Sequence, residues 1–144
     1  KTVSKEDIDW AIASMPNLSK QNAKRHFVVA FEAYQASFRV GYPQIGVITA
    51  WSGLEALFGV ESEISFRLSL LVSKFLETDA NAQHDLFKQL KNSYKQRSRI
   101  VHGGYTTSEE NYQRHLEVAE WLRKCLLRVV QTGELPNEDS LLFQ

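Results

Sequence analysis

The chain contains little of what disulfide-rich, turn-rich or membrane-spanning proteins need. Its one cysteine, Cys125, excludes an intrachain disulfide and a cysteine-based zinc site, and we interpret it as a small core residue. Only seven glycines and three prolines interrupt the chain, which favours long helices over a turn-rich β fold. No window approaches the roughly 18 consecutive apolar residues of a membrane span, so no membrane partner is expected.

The chain also lacks an excess of charge of either sign, since 17 Lys and Arg residues oppose 17 Asp and Glu residues. A net charge of zero argues against capture of nucleic acid by the whole surface, but it allows a local basic face. The hydrophobic content of 43% is typical of a globular domain. No signal peptide opens the chain, and we expect a cytoplasmic protein. The first residue is Lys rather than Met, which indicates an excised domain or a processed product.

Apolar residues recur at spacings of three and four along most of the chain, which is the period of amphipathic helices. This pattern predicts an all-α fold of four to five main helices after a short N-terminal helix. The expected helices span residues 4–14, 19–40, 44–58, 61–76, 82–102 and 108–131. The first is expected to break at Met15-Pro16-Asn17, and Ser19 is expected to cap the second. The domain boundaries follow as an N-terminal helix and linker (1–18), a helical bundle (19–132) and a loosely held C-terminal tail (133–144).

The helix expected over 44–58 carries residue types that helices usually avoid. Gly46 and Gly53 each lower helix stability by about 1 kcal/mol relative to alanine, which indicates a close approach of neighbouring helices. Glu55 is the charged member of an otherwise apolar face that includes Trp51 and Phe58. A carboxylate on such a face needs a partner, because burying an unpaired charge is costly.

The helix expected over 82–102 has an apolar face, a basic face and a marked stop. The apolar face repeats at spacings of 3, 4, 3 and 4 through Phe87, Leu90, Tyr94, Arg97 and Val101. Arg97 therefore stands where an apolar residue is expected. Beside it runs a basic face of His84, Lys88, Lys91, Lys95 and Arg99. Such a face is as often merely solvated as functional. His102 precedes Gly103-Gly104, a pair that favours the end of a helix.

Arg97 and His102 are the candidate catalytic residues. They are five residues apart, about 140° around a helix, so they converge only if the helix unwinds near residues 101–103 or the arginine reaches around. A histidine at a helix C-terminus suits proton transfer, because the helix dipole favours its protonated form. A guanidinium matches a phosphate. Together they could cleave RNA with its 2′-hydroxyl as the nucleophile, without metal or cofactor.

Three segments carry a resemblance to a known family. They are Trp51-x-x-Leu54-Glu55-x-Leu57-Phe58, Phe66-Arg67-Leu68 and Tyr94-x-x-Arg97-Ser98-x-Ile100-Val101-His102-Gly103. Over about residues 44–130 the chain resembles the Apea-like branch of the HEPN superfamily. The resemblance implies a helical bundle that forms homodimers, with an R-x4-6-H motif as the active site of a metal-independent endoribonuclease between two protomers. It also implies a role in toxin–antitoxin or anti-phage defence, with an antitoxin or a sensor domain as a further partner.

Carried onto this chain, the family motif consists of Arg97 and His102. The resemblance implies supporting roles for Ser98, which follows the motif arginine, for Glu55 on an earlier helix, and for Tyr94. We expect the RNA backbone to bind the basic face through Lys88, Lys91, Lys95 and Arg99. We also expect Glu55 and Arg97 to lie close in space, either as a pair within one protomer or in the dimer cleft.

Two other interpretations remain open. In the first, the domain is a non-catalytic HEPN module for protein interaction or for binding a nucleotide or nucleic acid, and Arg97 and His102 are structural. In the second, it is a plain helical bundle with a buried ion pair and no affinity for RNA. The first predicts a loss of folding or of dimerisation in variants of the motif, and the second predicts a loss of stability alone.

Overall fold

Side-chain caps and left-handed glycines set the ends of several helices. Ser4 and Thr107 each accept a hydrogen bond from the backbone of an acid three residues on, and the acid accepts one in return from the cap backbone. Gly59 and Gly133 end two helices in the left-handed conformation. In the computed structural model, which describes residues 2–143, the protein is an all-α helical bundle. Its seven helices in that range are α1 (Lys5–Gln21), α2 (Arg25–Arg39), α3 (Pro43–Phe58), α4 (Ile64–Leu76), α5 (Ala80–Val101), α6 (Ser108–Thr132) and α7 (Glu138–Leu142).

The central helix of the core is α3, which packs against α2, α4, α5 and α6. Its Trp51 is fully buried. The Trp51 ring meets the Tyr94 ring of α5 edge-on, with centres 5.1 Å apart, and lies 6.3 Å from the Trp121 ring of α6. Glu55 follows Trp51 by one helical turn, so the packing of Trp51 also turns Glu55 towards α5.

The close approach of helices expected at Gly46 and Gly53 is confirmed. A Cβ atom on Gly53 would lie 2.6 Å from Cδ2 of Leu122 on α6 and 3.1 Å from Cβ of Ala33 on α2. A Cβ atom on Gly46 would lie 3.0 Å from the carbonyl oxygen of Ser37. The two glycines therefore let the backbone of α3 lie directly against backbone and side-chain atoms of its neighbours, which offsets their low helix propensity.

The expected break in the first helix is wrong. α1 continues through Pro16 and ends at Gln21. Tertiary hydrogen bonds hold its last turns, because Asn17 Nδ2 donates to the Val130 carbonyl oxygen at 2.8 Å and Gln21 Nε2 donates to that of Gly133 at 2.6 Å. Proline lowers helix stability by about 3 kcal/mol in a helix interior, and contacts of this kind override that preference.

The lengthening of α1 also moves the start of the next helix and the proposed linker. Ser19 lies inside α1 and caps nothing, and α2 begins at Arg25 with Lys24 at its N-cap. Residues 1–18 are therefore not a short helix followed by a linker, since the described part of that range from Lys5 onward is helical. The remaining main helices begin and end within three residues of the expected positions.

The C-terminal segment is not the loosely held tail that was expected. Residues 138–142 form the short helix α7, in which Leu141 is buried against the core. Arg67 Nη2 on α4 contacts both carboxylate oxygens of Glu138, at 2.8 and 2.6 Å. The segment is too short for its helical period to be visible in the sequence. In the structure, Glu138 in the acidic first turn of α7 pairs with α4, and Leu141 packs against the core.

At the start of α6 two polar residues face the core, while the neighbouring apolar side chains face outwards. Tyr112 and Leu116 are 48% and 39% exposed, whereas Asn111 and His115 are buried. His115 Nε2 lies 2.9 Å from Oγ of Ser37, so the imidazole is hydrogen-bonded inside the bundle. Burial lowers the pKa of His115 below its ordinary value. The imidazole is therefore neutral in the folded protein at neutral pH.

We expect His115 to make the protein less stable as the pH falls from about 7.5 to about 5.5. Its pKa is lowered in the folded state but is close to 6.5 in the unfolded chain, so below about pH 6.5 the unfolded chain takes up a proton that the folded protein does not. The free energy of unfolding then falls by at most about 1.4 kcal/mol per pH unit. Urea unfolding at both pH values measures this fall. His115→Asn should remove it, and His84→Asn, which changes an exposed histidine, should retain it. An equal fall in His115→Asn would contradict the assignment.

Candidate functional site

α5 carries the candidate site residues apart from Glu55 and His102. At the start of α5, the Asp79 side chain accepts a hydrogen bond from the Ala82 backbone N–H. The helix then continues unbroken to Val101. Its buried residues are Leu86, Leu90, Ser93 and Tyr94. Val101 is exposed, contrary to its place in the expected apolar stripe, so burial on this helix fades beyond Arg97.

Arg97 leaves the buried side of α5 and points towards α3. Its Nη2 atom lies 3.4 Å from Oε1 of Glu55, and the two side chains are 21% and 20% exposed. The guanidinium carbon lies 5.2 Å from the centre of the Tyr94 ring, a cation–π distance. The prediction that Glu55 and Arg97 lie close in space is therefore confirmed, and they form a pair within one protomer.

The Glu55–Arg97 pair leaves hydrogen-bonding capacity unused. Its one contact is longer than the about 2.7–2.9 Å of a strong charge-assisted hydrogen bond. Arg97 Nε is buried and has no hydrogen-bond partner among the described residues. Burial raises the pKa of the Glu55 carboxyl, and the Arg97 guanidinium lowers it only in part. The two-oxygen contact of Arg67 with Glu138 shows how a saturated pair looks in the same fold.

Most of the buried polar side-chain atoms without a partner belong to residues of α3 and α5. Four buried side-chain polar atoms lack a hydrogen-bond partner within residues 2–143, and three of them are Trp51 Nε1, Ser93 Oγ and Arg97 Nε. Tyr94 lies among them, and burial raises the pKa of its phenol, with opposing effects of Arg97 and Glu55. Buried polar groups without partners are uncommon, and functional sites are one of their recognised locations.

His102 is the C-cap of α5 and is exposed. Its backbone N–H donates to the Ser98 carbonyl oxygen at 3.0 Å, as in a continuing helix. Gly103, at φ 72°, and Gly104 then donate to the carbonyl oxygens of Ile100 and Arg99, which closes the helix in a Schellman motif. The glycines therefore end the helix after His102 and do not unwind it before that residue.

Arg97 and His102 consequently do not meet within one protomer. No hydrogen bond joins them in the described part of the chain, and the intact helix separates their directions by about 140°. Ser98 is half-buried, and in the same range its hydroxyl bonds neither of them. The structure thus brings Glu55, Tyr94 and Arg97 together and leaves His102 facing solvent at the helix end.

The basic face of α5 is as the sequence predicts. Lys88, Lys95 and Arg99 are exposed, and Lys91 is half-buried. None of the four forms an ion pair with a described residue. A row of cations without ion-pair partners can bind a polyanion without first breaking an ion pair.

Sequence reasoning missed an open groove between the start of α4 and the middle of α5. It has a volume of about 660 Å³, and its walls include Glu61, Glu63, Phe66, Lys91 and Tyr94. The Lys91 ammonium lies 5.9 Å from the centre of the Phe66 ring. The sequence shows only an aromatic residue, Phe66, just after two acidic residues of the loop before α4, and spacing along one helix does not reveal that a second helix packs beside it.

The remaining residue types offer no second site of comparable definition. Cys125 is fully buried and burial raises the pKa of its thiol, so its interpretation as a core residue is confirmed. Nowhere in residues 2–143 do three His, Cys, Asp or Glu side chains converge as metal ligands would. Within the same residues, no helix has the length and apolar character of a membrane span.

Comparison of the chain with protein-family models, with curated proteins and with solved structures gives no match. The HEPN resemblance therefore stays a prediction that depends on the motif residues. The geometry around Glu55 and Arg97 stands independently of it.

Proposed function

We propose that the protein is a metal-independent endoribonuclease whose active site combines Arg97 of one protomer with His102 of a second copy. The observation that carries the proposal is the state of Arg97. Its guanidinium is held by Tyr94 and by a single long contact of Nη2 with Glu55, the side chain remains one-fifth exposed, and its Nη1 group bonds nothing in the described chain. A fixed cation with unused donors suits a phosphate.

The reaction needs no group beyond the protein and the RNA. The 2′-oxygen attacks the neighbouring phosphorus, the bond to the 5′-oxygen breaks, and the products carry a 2′,3′-cyclic phosphate and a 5′-hydroxyl. His102 takes the proton from the 2′-hydroxyl as general base and then, as the imidazolium, gives it to the leaving 5′-oxygen as general acid. Arg97 stabilises the negative charge that grows on the phosphoryl oxygens, and Glu55 keeps the guanidinium oriented.

A second copy of the chain supplies what one protomer lacks. Arg97 and His102 point in different directions on an intact helix, and His102 is exposed at its end. In a two-fold symmetric homodimer each His102 can face the Arg97 of the partner, which generates two equivalent sites. The basic face of Lys88, Lys95 and Arg99 lies on the same helix and gives the RNA backbone a path to them.

A biological setting follows from the family resemblance alone. On that ground we extend the proposal to a cytoplasmic effector of toxin–antitoxin or anti-phage defence, controlled by an antitoxin or by a sensor domain. Co-expression with candidate neighbouring proteins tests this extension, because a regulator should suppress RNA cleavage by the purified domain. If none of the co-expressed neighbouring proteins lowers RNA cleavage, the proposed role in defence is contradicted, and the endoribonuclease assignment is unaffected.

We expect the purified protein to cut single-stranded RNA in the presence of EDTA. Product ends should carry a 2′,3′-cyclic phosphate, and RNA with a 2′-O-methyl group at each position should stay intact because it lacks the nucleophile. Gel filtration with light scattering should show a dimer under the same conditions. Intact RNA after incubation with a protein that is folded and dimeric would contradict the proposal.

The second candidate function is a non-catalytic interaction module, and the Glu55–Arg97 contact is the observation that favours it. A guanidinium that only neutralises a half-buried carboxylate needs no substrate. In that case, Arg97→Ala and His102→Ala should both lower stability or dimerisation, and RNA should remain uncut.

A further inference from the structure

The groove between α4 and α5 has an apolar floor and an acidic wall. Ile64 and Phe66 form part of the floor, and Lys91 and Tyr94 line the α5 side. Glu63, at the N-cap of α4, belongs to the acidic wall. It is a wide and open depression of about 660 Å³. Its Tyr94 wall carries the Arg97 guanidinium on the neighbouring turn, so the groove adjoins the proposed active site.

Phe66 is a rigid aromatic surface in this groove. Its side chain is 51% exposed although it is a large apolar residue. The Phe87 ring packs edge-on against it, with centres 5.7 Å apart, and the Lys91 ammonium lies 5.9 Å from the centre of each ring. An aromatic ring held in place beside a cation is the arrangement on which unpaired nucleic-acid bases stack.

The acidic wall determines which part of a nucleotide can enter. Glu61 and Glu63 are exposed, and their carboxylates form no ion pair or hydrogen bond with the described residues. Glu63 adopts a left-handed backbone conformation, φ 48°, and its side chain does not cap α4. Carboxylates repel phosphate and accept hydrogen bonds from N–H donors. A base edge that carries donors therefore fits this wall, and the phosphate backbone does not.

We infer that this groove binds an unpaired guanine base next to the cleavage site, an inference that rests on the proposed function. The base stacks on Phe66, and its neighbouring N1–H and N2–H groups donate to a carboxylate of Glu61 or Glu63. Guanine is the base whose pairing edge presents two adjacent donors, and a carboxylate accepts two parallel hydrogen bonds. Lys91 lines the groove and also belongs to the basic face, where the attached phosphates bind.

Fluorescence anisotropy with His102→Ala protein tests the inference without cleavage of the probe. The probe is a labelled oligouridine of about twelve nucleotides that carries one central guanosine, and matched probes carry adenosine or inosine there. The guanosine probe should bind best, and inosine should bind less well because it lacks the N2 amino group. Phe66→Leu should weaken binding of the guanosine probe by about tenfold, the scale of one stacked base. Phe38→Leu is the matched control, since Phe38 is equally exposed on α2 and lies outside the groove.

The double variant Glu61→Gln/Glu63→Gln should bind the three probes with similar affinity, because amide groups no longer favour a pair of donors. If protein with Glu61, Glu63 and Phe66 unchanged binds the guanosine and adenosine probes equally, the guanine assignment is overturned. The starting protein for all these variants is His102→Ala. If adding Phe66→Leu leaves its binding unchanged while adding Lys88→Glu or Lys95→Glu weakens it, the protein binds RNA but the groove is not the base site. If the parent binds none of the probes, both this inference and the proposed function fail.

Discussion

We expect His102→Ala to lose RNA cleavage by about 10²–10⁴-fold, the usual contribution of a general acid or base, and to unfold at the same urea concentration as the wild type. The imidazole is exposed at the C-cap of α5, and the Schellman bonds that end the helix come from Gly103 and Gly104 backbone groups, which the substitution leaves in place. Cleavage rates in EDTA and urea midpoints measure the two quantities separately. His84→Ala, which removes an exposed histidine from the same helix, is the matched control and should cleave normally.

Arg97→Ala should differ from His102→Ala because it lowers both cleavage and stability. Its removal leaves the Glu55 carboxylate half-buried and unpaired. The loss for a fully buried pair is about 3–5 kcal/mol, and partial exposure reduces it here to about 1–2 kcal/mol. Adding Glu55→Gln to Arg97→Ala should recover much of the stability and none of the cleavage. A His102→Ala protein as unstable as Arg97→Ala would point to a structural motif instead.

Mixing the two inactive variants tests whether the active site is shared between protomers. A mixed dimer of Arg97→Ala and His102→Ala contains one site in which Arg97 from one chain meets His102 from the other. Random exchange of subunits should therefore recover about a quarter of the wild-type cleavage, since half of the dimers are mixed and each has one of two sites intact. No recovery after verified exchange would place both residues of each site in the same protomer.

The helices that the sequence predicts well are those in which local preference and tertiary packing agree. α3 ends at Gly59 and α6 begins at the Thr107 cap, and the ends of both helices lie close to the predicted positions. α1 does not, because Pro16 is a local signal that tertiary hydrogen bonds from Asn17 and Gln21 override. Periodicity within one segment carries no information about such partners, which lie more than one hundred residues away.

The same distinction holds for the candidate site. A charged residue at an apolar position predicts a charged partner, and this reasoning led from Glu55 and Arg97 to the pair. The groove at Phe66 could not be predicted, because its walls come from two helices and the loop before α4. The burial of His115 could not be predicted for a related reason. A buried polar residue is recognisable only when its hydrogen-bond partner, here Ser37, is known.

Substitution of Gly53 should produce a large loss of stability, because α3 approaches two helices at this one residue. A new Cβ atom would lie 2.6 Å from Leu122 Cδ2 and 3.1 Å from Ala33 Cβ, and both neighbours are buried. For Gly53→Ala we expect a net loss of about 1 kcal/mol, because better helix propensity offsets about half of the overpacking. Gly53→Val adds two further methyl groups to the same closed space and should lose about 3 kcal/mol. Urea unfolding measures both losses.

Gly41 provides the matched control, since a Cβ atom there meets nothing within 4 Å. Gly41→Ala and Gly41→Val should therefore stay close to the wild-type stability. Gly53 lies two residues before Glu55 on the same helix, so a shift of α3 away from α6 also moves the carboxylate that orients Arg97. Under conditions where Gly53→Val is fully folded, its RNA cleavage should still be lower than that of Gly41→Val. Equal cleavage by the two valine variants would show that the position of Glu55 does not control the reaction.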